Sequence, residues 1–415
     1  MVGPDHQALE AIQEHDVEVT VLVGGISKDI GLPIPSRYRM IFNDDSKSID
    51  STLNCLYRHG LDSFDAVYAH DEPAIMTAAA LGKVLGARAI PPKTASLFRD
   101  KWQQKRTLRA AGFEVARHIL IEDIRDLPPD FELPFAKAVV KPVAGQATQT
   151  TYPVSDTAEV RKVSRDCRAQ NVAARTFVIE EFVEGEELFA DGVVSGGRIR
   201  FASLGRYAKN CLAAVRDRSP VRTYSLDPQA DKALYESAMP VVTGALSTLG
   251  LEDGVFHMEL FHDGSRMVFS ECAARRAGGP ISDQVRIKFG VDLAALSVLS
   301  QLSPLDDIVP TPRDGIVASA FLPIPDGTLL DHPSVADLVA RPGVVHARFF
   351  IPRGLKAAPP GGNTIGRMGE FTVLGEDWES ATALLDETAA WFHDNLKVLP
   401  NNLSMRELRE LDWGD

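Results

Sequence analysis

Short apolar, β-branched runs broken by glycine and proline dominate the first hundred residues. Residues 17–24 (VEVTVLVG) read as a buried strand ending at Gly24-Gly25, and residues 64–68 (FDAVY) as a second. His70-Asp71-Glu72-Pro73 follows, with Asp71 as the expected N-cap and Pro73 in the first turn of a helix over 74–85 that Gly86 closes. Residues 87–90 predict a further strand. Strand, helix and strand in that order predict a parallel α/β unit over residues 1 to about 95. Residues 100–111 (DKWQQKRTLRAA) predict a helix between Asp100 and Gly112. Strands and turns then take over: 138–141, a loop of small polar residues, 177–182, and a hairpin of 191–194 and 198–204 around Ser195-Gly196-Gly197. A helix over 231–249 contains Pro240, so it should kink or begin there, and Gly250 ends it. A last hairpin pairs 255–261 with 267–271. Residues 303–315, rich in Pro and Asp, mark a boundary, and 316–400 read as a small α+β region ending in an amphipathic helix near 378–396.

Composition narrows the function classes. The 415 residues are 45% hydrophobic and 24% charged, an ordinary globular mix. At ~150 residues per domain, two or three domains are expected. A net charge of −13 disfavours nucleic acid and anionic lipid as partners. Cys55, Cys167, Cys211 and Cys272 include no C-x-x-C pair, so neither a disulfide framework nor a zinc site is expected. The first residues lack the charged and apolar regions of a signal peptide, and Lys83 and Arg88 interrupt the most apolar helical stretch, 74–90. No membrane partner is expected, and the pattern points to the cytoplasm.

Three clusters could carry chemistry. His257 and Glu259 lie two apart on one expected strand and share a face; Glu271 ends the returning strand, with Arg275 four residues on. Two carboxylates facing the same way repel unless a cation lies between them. Such a pair suits Mg²⁺, which binds through one or two carboxylates and substrate phosphates. A two-residue Asp263-Gly264 turn would send Glu259 and Glu271 to opposite faces, whereas an odd loop or a bulge near Ser265 would bring them together. Otherwise they are two acids on a solvated strand. Lys141 ends the strand AVVK before a loop whose N–H groups could cover phosphate oxygens; taken alone it reads first as a solvated strand end. Lys101 opens a helix, where a cation opposes the macrodipole. In VIEEFVEGEELF, Glu180 or Glu181, the Phe182–Val183 backbone and Glu187 would supply the acceptors and donor that adenine and ribose need, although an acidic surface turn has the same composition.

In this order and spacing, Asp100-Lys101, Lys141, Glu180–Val183, Glu187, Glu259, Glu271 and Arg275 resemble the ATP-grasp superfamily. FHMEL followed by FSECAARRAGG is most similar to its carboxylate–amine ligase branch, which includes the L-amino acid (dipeptide) ligases. The resemblance covers residues from about 60 to 300 and extends to the C-terminal region. It implies α/β and α+β architecture: a parallel α/β domain on the substrate side (1–98), a lid subdomain (99–184), a catalytic subdomain (185–305) and an α+β cap (306–415). It also implies that Lys101 and Lys141 bind the α- and β-phosphates of ATP. Glu180 (or Glu181) and the Phe182–Val183 backbone would hold adenine, Glu187 the ribose, and Glu259 and Glu271 Mg²⁺ (or Mn²⁺). Arg275 would neutralise the carboxyl-phosphate oxygens, and Arg276, Gly278 and Gly279 would meet the donor carboxylate. Glu72 either contacts substrate at a strand end or stabilises a helix start. His257 either takes the amine's proton or is a satisfied structural histidine. Arg206, Lys209, Arg216 and Arg218 either line an acceptor pocket or form a solvated basic loop, and Cys272 is expected to be buried filler. Ala273 stands where the family pattern often has Asn. The implied reaction joins a small-molecule carboxylate to an amine through an acylphosphate, forming an amide, in the first place peptide, bond with release of ADP and phosphate. A homodimer is the default assembly. The alternatives are a ligase for a non-amino-acid carboxylate and a nucleotide-binding module without catalysis.

Overall fold

The computed structural model describes residues 1–24, 34–43, 45, 48–351, 356–357, 366–399 and 401. Gly25, at the end of the first expected strand, and residues 352–355, 358–365, 400 and 402–415 of the expected cap lie outside the described residues. Helix α1 (His6–Ala11) starts at Asp5, whose carboxylate accepts the Ala8 N–H. Strand β1 (Thr20–Val23) buries Val21, Leu22 and Val23 and pairs in parallel with β2 (Arg39–Phe42). The hydrophobic pattern gave no sign of β2, because only Ile41 of its four residues is buried. Helix α2 (Ile49–Arg58) follows.

The strands expected at 64–68 and 87–90 shrink to one parallel bridge, Ala66 to Arg88. Pro91 and Pro92 cut the second run short by opening α4. Between them Glu72–Ala74 forms a 3₁₀ turn leading into α3 (Ile75–Leu85), and Gly86 closes that helix at φ 67°. Helix α3 lies so close to the bridge that a Cβ at Gly82 would come within 2.4 Å of the Ala89 Cβ. Helix α4 (Pro92–Arg99) then hands over to α5 (Lys101–Ala110), where the Asp100 carboxylate accepts the N–H groups of Trp102 and Gln103.

The next segment is an antiparallel sheet under one helix. Strands β3 (His118–Ile121), β4 (Ala138–Pro142), β5 (Tyr152–Val154) and β6 (Phe177–Glu181) pair in the order β3-β6-β4-β5, with α6 (Thr157–Ala169) before β6. Its core gathers Ile121, Val140, Val160, Phe177 and Ile179. Helix α6 escaped the sequence pattern because its buried face holds only Val160, Val163, Ser164 and Cys167.

A larger sheet begins with the hairpin of β7 (Glu186–Ser195) and β8 (Arg198–Tyr207), followed by α7 (Cys211–Arg216) and β9 (Arg222–Ser225). Helix α8 (Lys232–Leu249) continues through Pro240 rather than beginning there. Pro240 is on the exposed side, and so is Glu236, whose carbonyl lacks the N–H that proline cannot offer. Strands β10 (Gly254–His262) and β11 (Met267–Ala273) form the second hairpin, and α9 (Ile281–Phe289) and α10 (Leu293–Leu302) close the segment. Beyond residues 303–315 come β12 (Ile316–Pro323), β13 (Gly327–Asp331), α11 (Val335–Val339), β14 (Val344–Phe349), β15 (Lys356–Ala357), β16 (Arg367–Gly375), α12 (Trp378–Asp394) and β17 (Lys397–Leu399). Strands β12, β16 and β14 extend the same sheet, giving eight strands in the order β11-β10-β7-β8-β9-β12-β16-β14; β15, β13 and β17 form a small separate sheet. Among the described residues no helix is long and apolar enough to cross a membrane.

Candidate active site

The second hairpin sets the geometry. From His262 to Leu260 the partners are Met267, Val268 and Phe269, a register that would oppose Glu259 to Ser270 and turn Glu271 to the other face. One extra residue at Ser270 corrects this, and Glu259 opposes Glu271 directly. The required bulge exists, then, but at Ser270 and not near Ser265, where the Asp263 carboxylate organises a four-residue turn by accepting the Ser265 and Arg266 N–H groups.

Helix α5 clamps this bulge. Lys101, Gln104, Lys105 and Leu108 are its buried residues, at the i, i+3, i+4, i+7 spacing of one helix face. The Gln104 amide donates to the Cys272 carbonyl (2.8 Å) and accepts the Cys272 N–H (2.9 Å), as a neighbouring strand would. Lys105 donates to the carbonyl of Ser270. Lys105 was not among the residues expected at the site; its signal was its place on the same face as Leu108. Cys272 is buried beside the hairpin acids, as expected.

Cations and acids alternate across the cleft between the two sheets. Lys101 Nζ lies 3.3 Å from Glu271 Oε2 and donates to the Gly145 carbonyl (3.0 Å), drawing the loop after β4 inward. Lys141 Nζ lies 3.1 Å from Glu180 Oε2 and 3.5 Å from Glu271 Oε2, and Lys105 Nζ is 3.3 Å from Glu180 Oε1. Burial opposes charge on Lys141, yet Glu180 and Glu271 outweigh it and hold its pKa above the usual lysine value. Glu271 is likewise held well below the carboxylate range, against burial, by Lys101, Lys141 and Lys105. Lys105 is pushed down to about 8, first by burial, with Glu180 resisting. Glu187 is pushed up to about 8 by burial and by Glu259, while accepting the Cys211 N–H (2.8 Å).

A cleft of about 910 Å³ joins these groups. Of the residues expected at the site, Glu72, Lys101, Lys141, Glu180, Glu181, Phe182, Val183, Glu187, His257, Glu259, Glu271, Arg275 and Gly278 border it. Several expectations need correction. Arg276 does not border it: the side chain is fully buried, with NH2 2.5 and 2.7 Å from the Asp5 carboxylate oxygens and NH1 2.7 Å from Gln7 Oε1. Gly279 also stands back, against the Phe321 ring. Glu181 turns its carboxylate to the exposed Arg117 (2.8 Å), while Glu180 faces two lysines and keeps its buried Oε1 without a hydrogen-bond partner among the described residues. The Phe182 N–H donates to the Lys137 carbonyl (2.9 Å). Glu72 is buried between Arg99 (2.5 Å) and Arg275 (2.5 Å) at the cleft wall, where it orients the Arg275 guanidinium.

His257 lies between two carboxylates. Its Nδ1 lies 3.1 Å from the buried Asp191 and its Nε2 3.7 Å from Glu259; despite burial these acids raise its pKa to about 10. The sequence reading passed over Asp191, whose signal was an acid inside the apolar strand FADGVV. Of the basic cluster, Lys209 and Arg216 border the cleft, whereas Arg206 pairs with Glu186 over the Trp378 ring and Arg218 lies outside. Arg367 of β16 also borders the cleft, its guanidinium over Phe321 and bonded to Glu370 (3.0 Å). Nothing in its local sequence marked it.

The donor set fits a nucleotide with its divalent cation. Glu259 and Glu271 are paired on one face, Glu187 feels Glu259's charge, and three lysines oppose them. Among the described residues no group of three or more His, Cys, Asp or Glu is placed to hold a metal ion by itself.

Comparison with known proteins agrees. The family model for the ATP-grasp domain matches residues 135–284. Mouse (Mus musculus) carnosine synthase 1 is 30% identical over 159 residues, 38% of this chain and 19% of that protein, so the chain spans about a fifth of the length of this curated relative. The crystal structure of an L-amino acid ligase from Bacillus licheniformis superposes with a TM-score of 0.78 at 20% identity, covering 96% of this chain and 98% of that one. A phosphoribosylglycinamide synthetase from Anaerococcus prevotii gives 0.64 at 16% identity, covering 96% and 98%. With its bulged acidic hairpin facing the lysines across the cleft, the chain has the ATP-grasp fold, and its residues 135–284 match the ATP-grasp domain family.

Proposed function

We propose that the chain is an ATP-dependent carboxylate–amine ligase that forms an amide, in the first place peptide, bond and releases ADP and phosphate. The observation that carries this reading is the opposed Glu259–Glu271 pair, with Lys101 and Lys141 beside Glu271. A carboxylate is a poor acyl donor because oxide would have to leave; phosphorylated, it loses phosphate instead. The protein's work is then positioning and charge compensation. Lys101, Lys105 and Lys141 would oppose the phosphate oxygens, and Arg275, fixed by Glu72, would face the oxygens of the phosphorylated carboxyl group. Glu259 and Glu271 would hold Mg²⁺, which supplies Lewis-acid charge at the phosphates when bound. A purine edge would use the backbone around Val183, since the Phe182 N–H and the Glu181 carboxylate are engaged.

Mouse carnosine synthase 1 and the B. licheniformis L-amino acid ligase support an amino-acid substrate. The likeness to a phosphoribosylglycinamide synthetase supports a second reading, a ligase of the same chemistry for another class of substrate. We place working boundaries at 98, 184 and 305, between substrate-side, lid, catalytic and cap regions. The test is a screen of amino-acid pairs with Mg²⁺–ATP for phosphate release, with mass spectrometry of products. A pair-dependent amide with matching phosphate supports the reading. ATP binding without stimulation by any acid overturns it in favour of a non-catalytic nucleotide module.

A further inference from the structure

The amine must lose a proton as it attacks, and both ring nitrogens of His257 already face carboxylates, Asp191 at 3.1 Å and Glu259 at 3.7 Å. The opposite wall carries another imidazole. His70 borders the cleft beside Pro4, Asp71 and Glu72, at the end occupied by Arg275, Gly278 and Ile281. Its Nδ1 is buried and has no hydrogen-bond partner among the described residues. A buried polar atom left unpaired is costly, so a hydrogen bond from the imidazole to a ligand seated in the cleft would offset that cost. The surrounding charges keep the ring neutral: burial and the Arg276 and Arg275 guanidiniums outweigh Asp5 and Glu72 and push it down to about 3. A phosphorylated carboxyl group against Arg275 would cancel part of that positive field and make the ring more basic as the nucleophile arrives.

We propose that His70 is the proton acceptor for the attacking amine, an inference that rests on the ligase reading above. In that step the nitrogen bonds to the acyl carbon and gives one proton to the imidazole. The carbon–oxygen bond to phosphate breaks, and phosphate leaves with the electron pair; the imidazolium then returns its proton to solvent. The test compares His70→Gln with wild type in two assays on the productive amino-acid pair. One traps the activated acid with hydroxylamine, a strong nucleophile that is neutral at pH 7 and can shed its proton to solvent. The other measures the amide. H70Q is expected to keep hydroxamate formation within about twofold and to lose amide formation roughly 100-fold at pH 7. The residual amide rate should rise about tenfold per pH unit as free amine accumulates, a response a packing role would not give. Undiminished amide synthesis overturns the inference, as does equal loss in both assays. Should H70Q fail to fold, His70→Asn is run through the same pair of assays. Absence of hydroxamate from the wild type overturns the ligase reading itself, and this inference with it.

Discussion

At the residue scale, a small set of charges does the work and each has a definable loss. Glu271→Gln removes a proposed metal-holding carboxylate and the shared partner of Lys101 and Lys141; Lys141→Ala removes a cation that bridges the two sheets; Arg275→Ala leaves Glu72 with Arg99 alone. Each is expected to lower steady-state phosphate release at least about tenfold, or roughly 1.4 kcal/mol of barrier, and a wild-type rate in any of them would relocate the site. The residues readable in advance were those whose chemistry is carried by their own segment: Lys141 at a strand end, and Glu259, Glu271 and Arg275 around a hairpin. Lys105, Asp191 and Arg367 were not, because their importance comes from what faces them. Arg276 failed for the opposite reason. It sits in a suggestive motif, yet it is consumed by Asp5, 271 positions away in sequence.

At the element scale, one residue decides which way an acid points. Deleting Ser270 would remove the bulge and turn Glu271 off the Glu259 face. We expect ATP-dependent Mn²⁺ binding, read by electron paramagnetic resonance, to weaken by about tenfold or more; unaltered binding would show that the bulge is dispensable. Helix α8 offers a prediction of opposite sign. Pro240 sits in its interior on the exposed side, so Pro240→Ala restores a helical N–H without touching the core. Proline in a helix interior costs up to ~3 kcal/mol, and the variant's denaturation midpoint should rise; an unchanged or lower midpoint would contradict this. Strong periodicity or caps revealed α5, α8 and α12. Strand β2, with one buried residue in four, and α6, with a narrow buried face, had too little pattern to read.

At the scale of the whole molecule, buried ion pairs tie the ends of the chain to the middle. Asp5 holds Arg276, while Asp283 gathers Arg286, His346 and Arg348. Against burial, hydrogen bonding from His346 and the charge of Arg348 bring Asp283 from 3.8 to about 2. Arg276, also against burial, holds Asp5 well below the carboxylate range. Depressed carboxylates contribute stability that is present above their unfolded values and lost as pH falls through the folded ones. The urea midpoint should therefore drop between about pH 4 and pH 2, with a shallower drop in Asp283→Asn; an identical slope would remove Asp283 from the account. The chemistry of the assembled cleft has its own isotopic signature. If the acid is activated by phosphorylation, ¹⁸O-labelled carboxylate passes one labelled oxygen to the orthophosphate released with the amide. Mass spectrometry of that phosphate should find one ¹⁸O per turnover; unlabelled phosphate, or label in AMP, would contradict the mechanism assigned to this cleft.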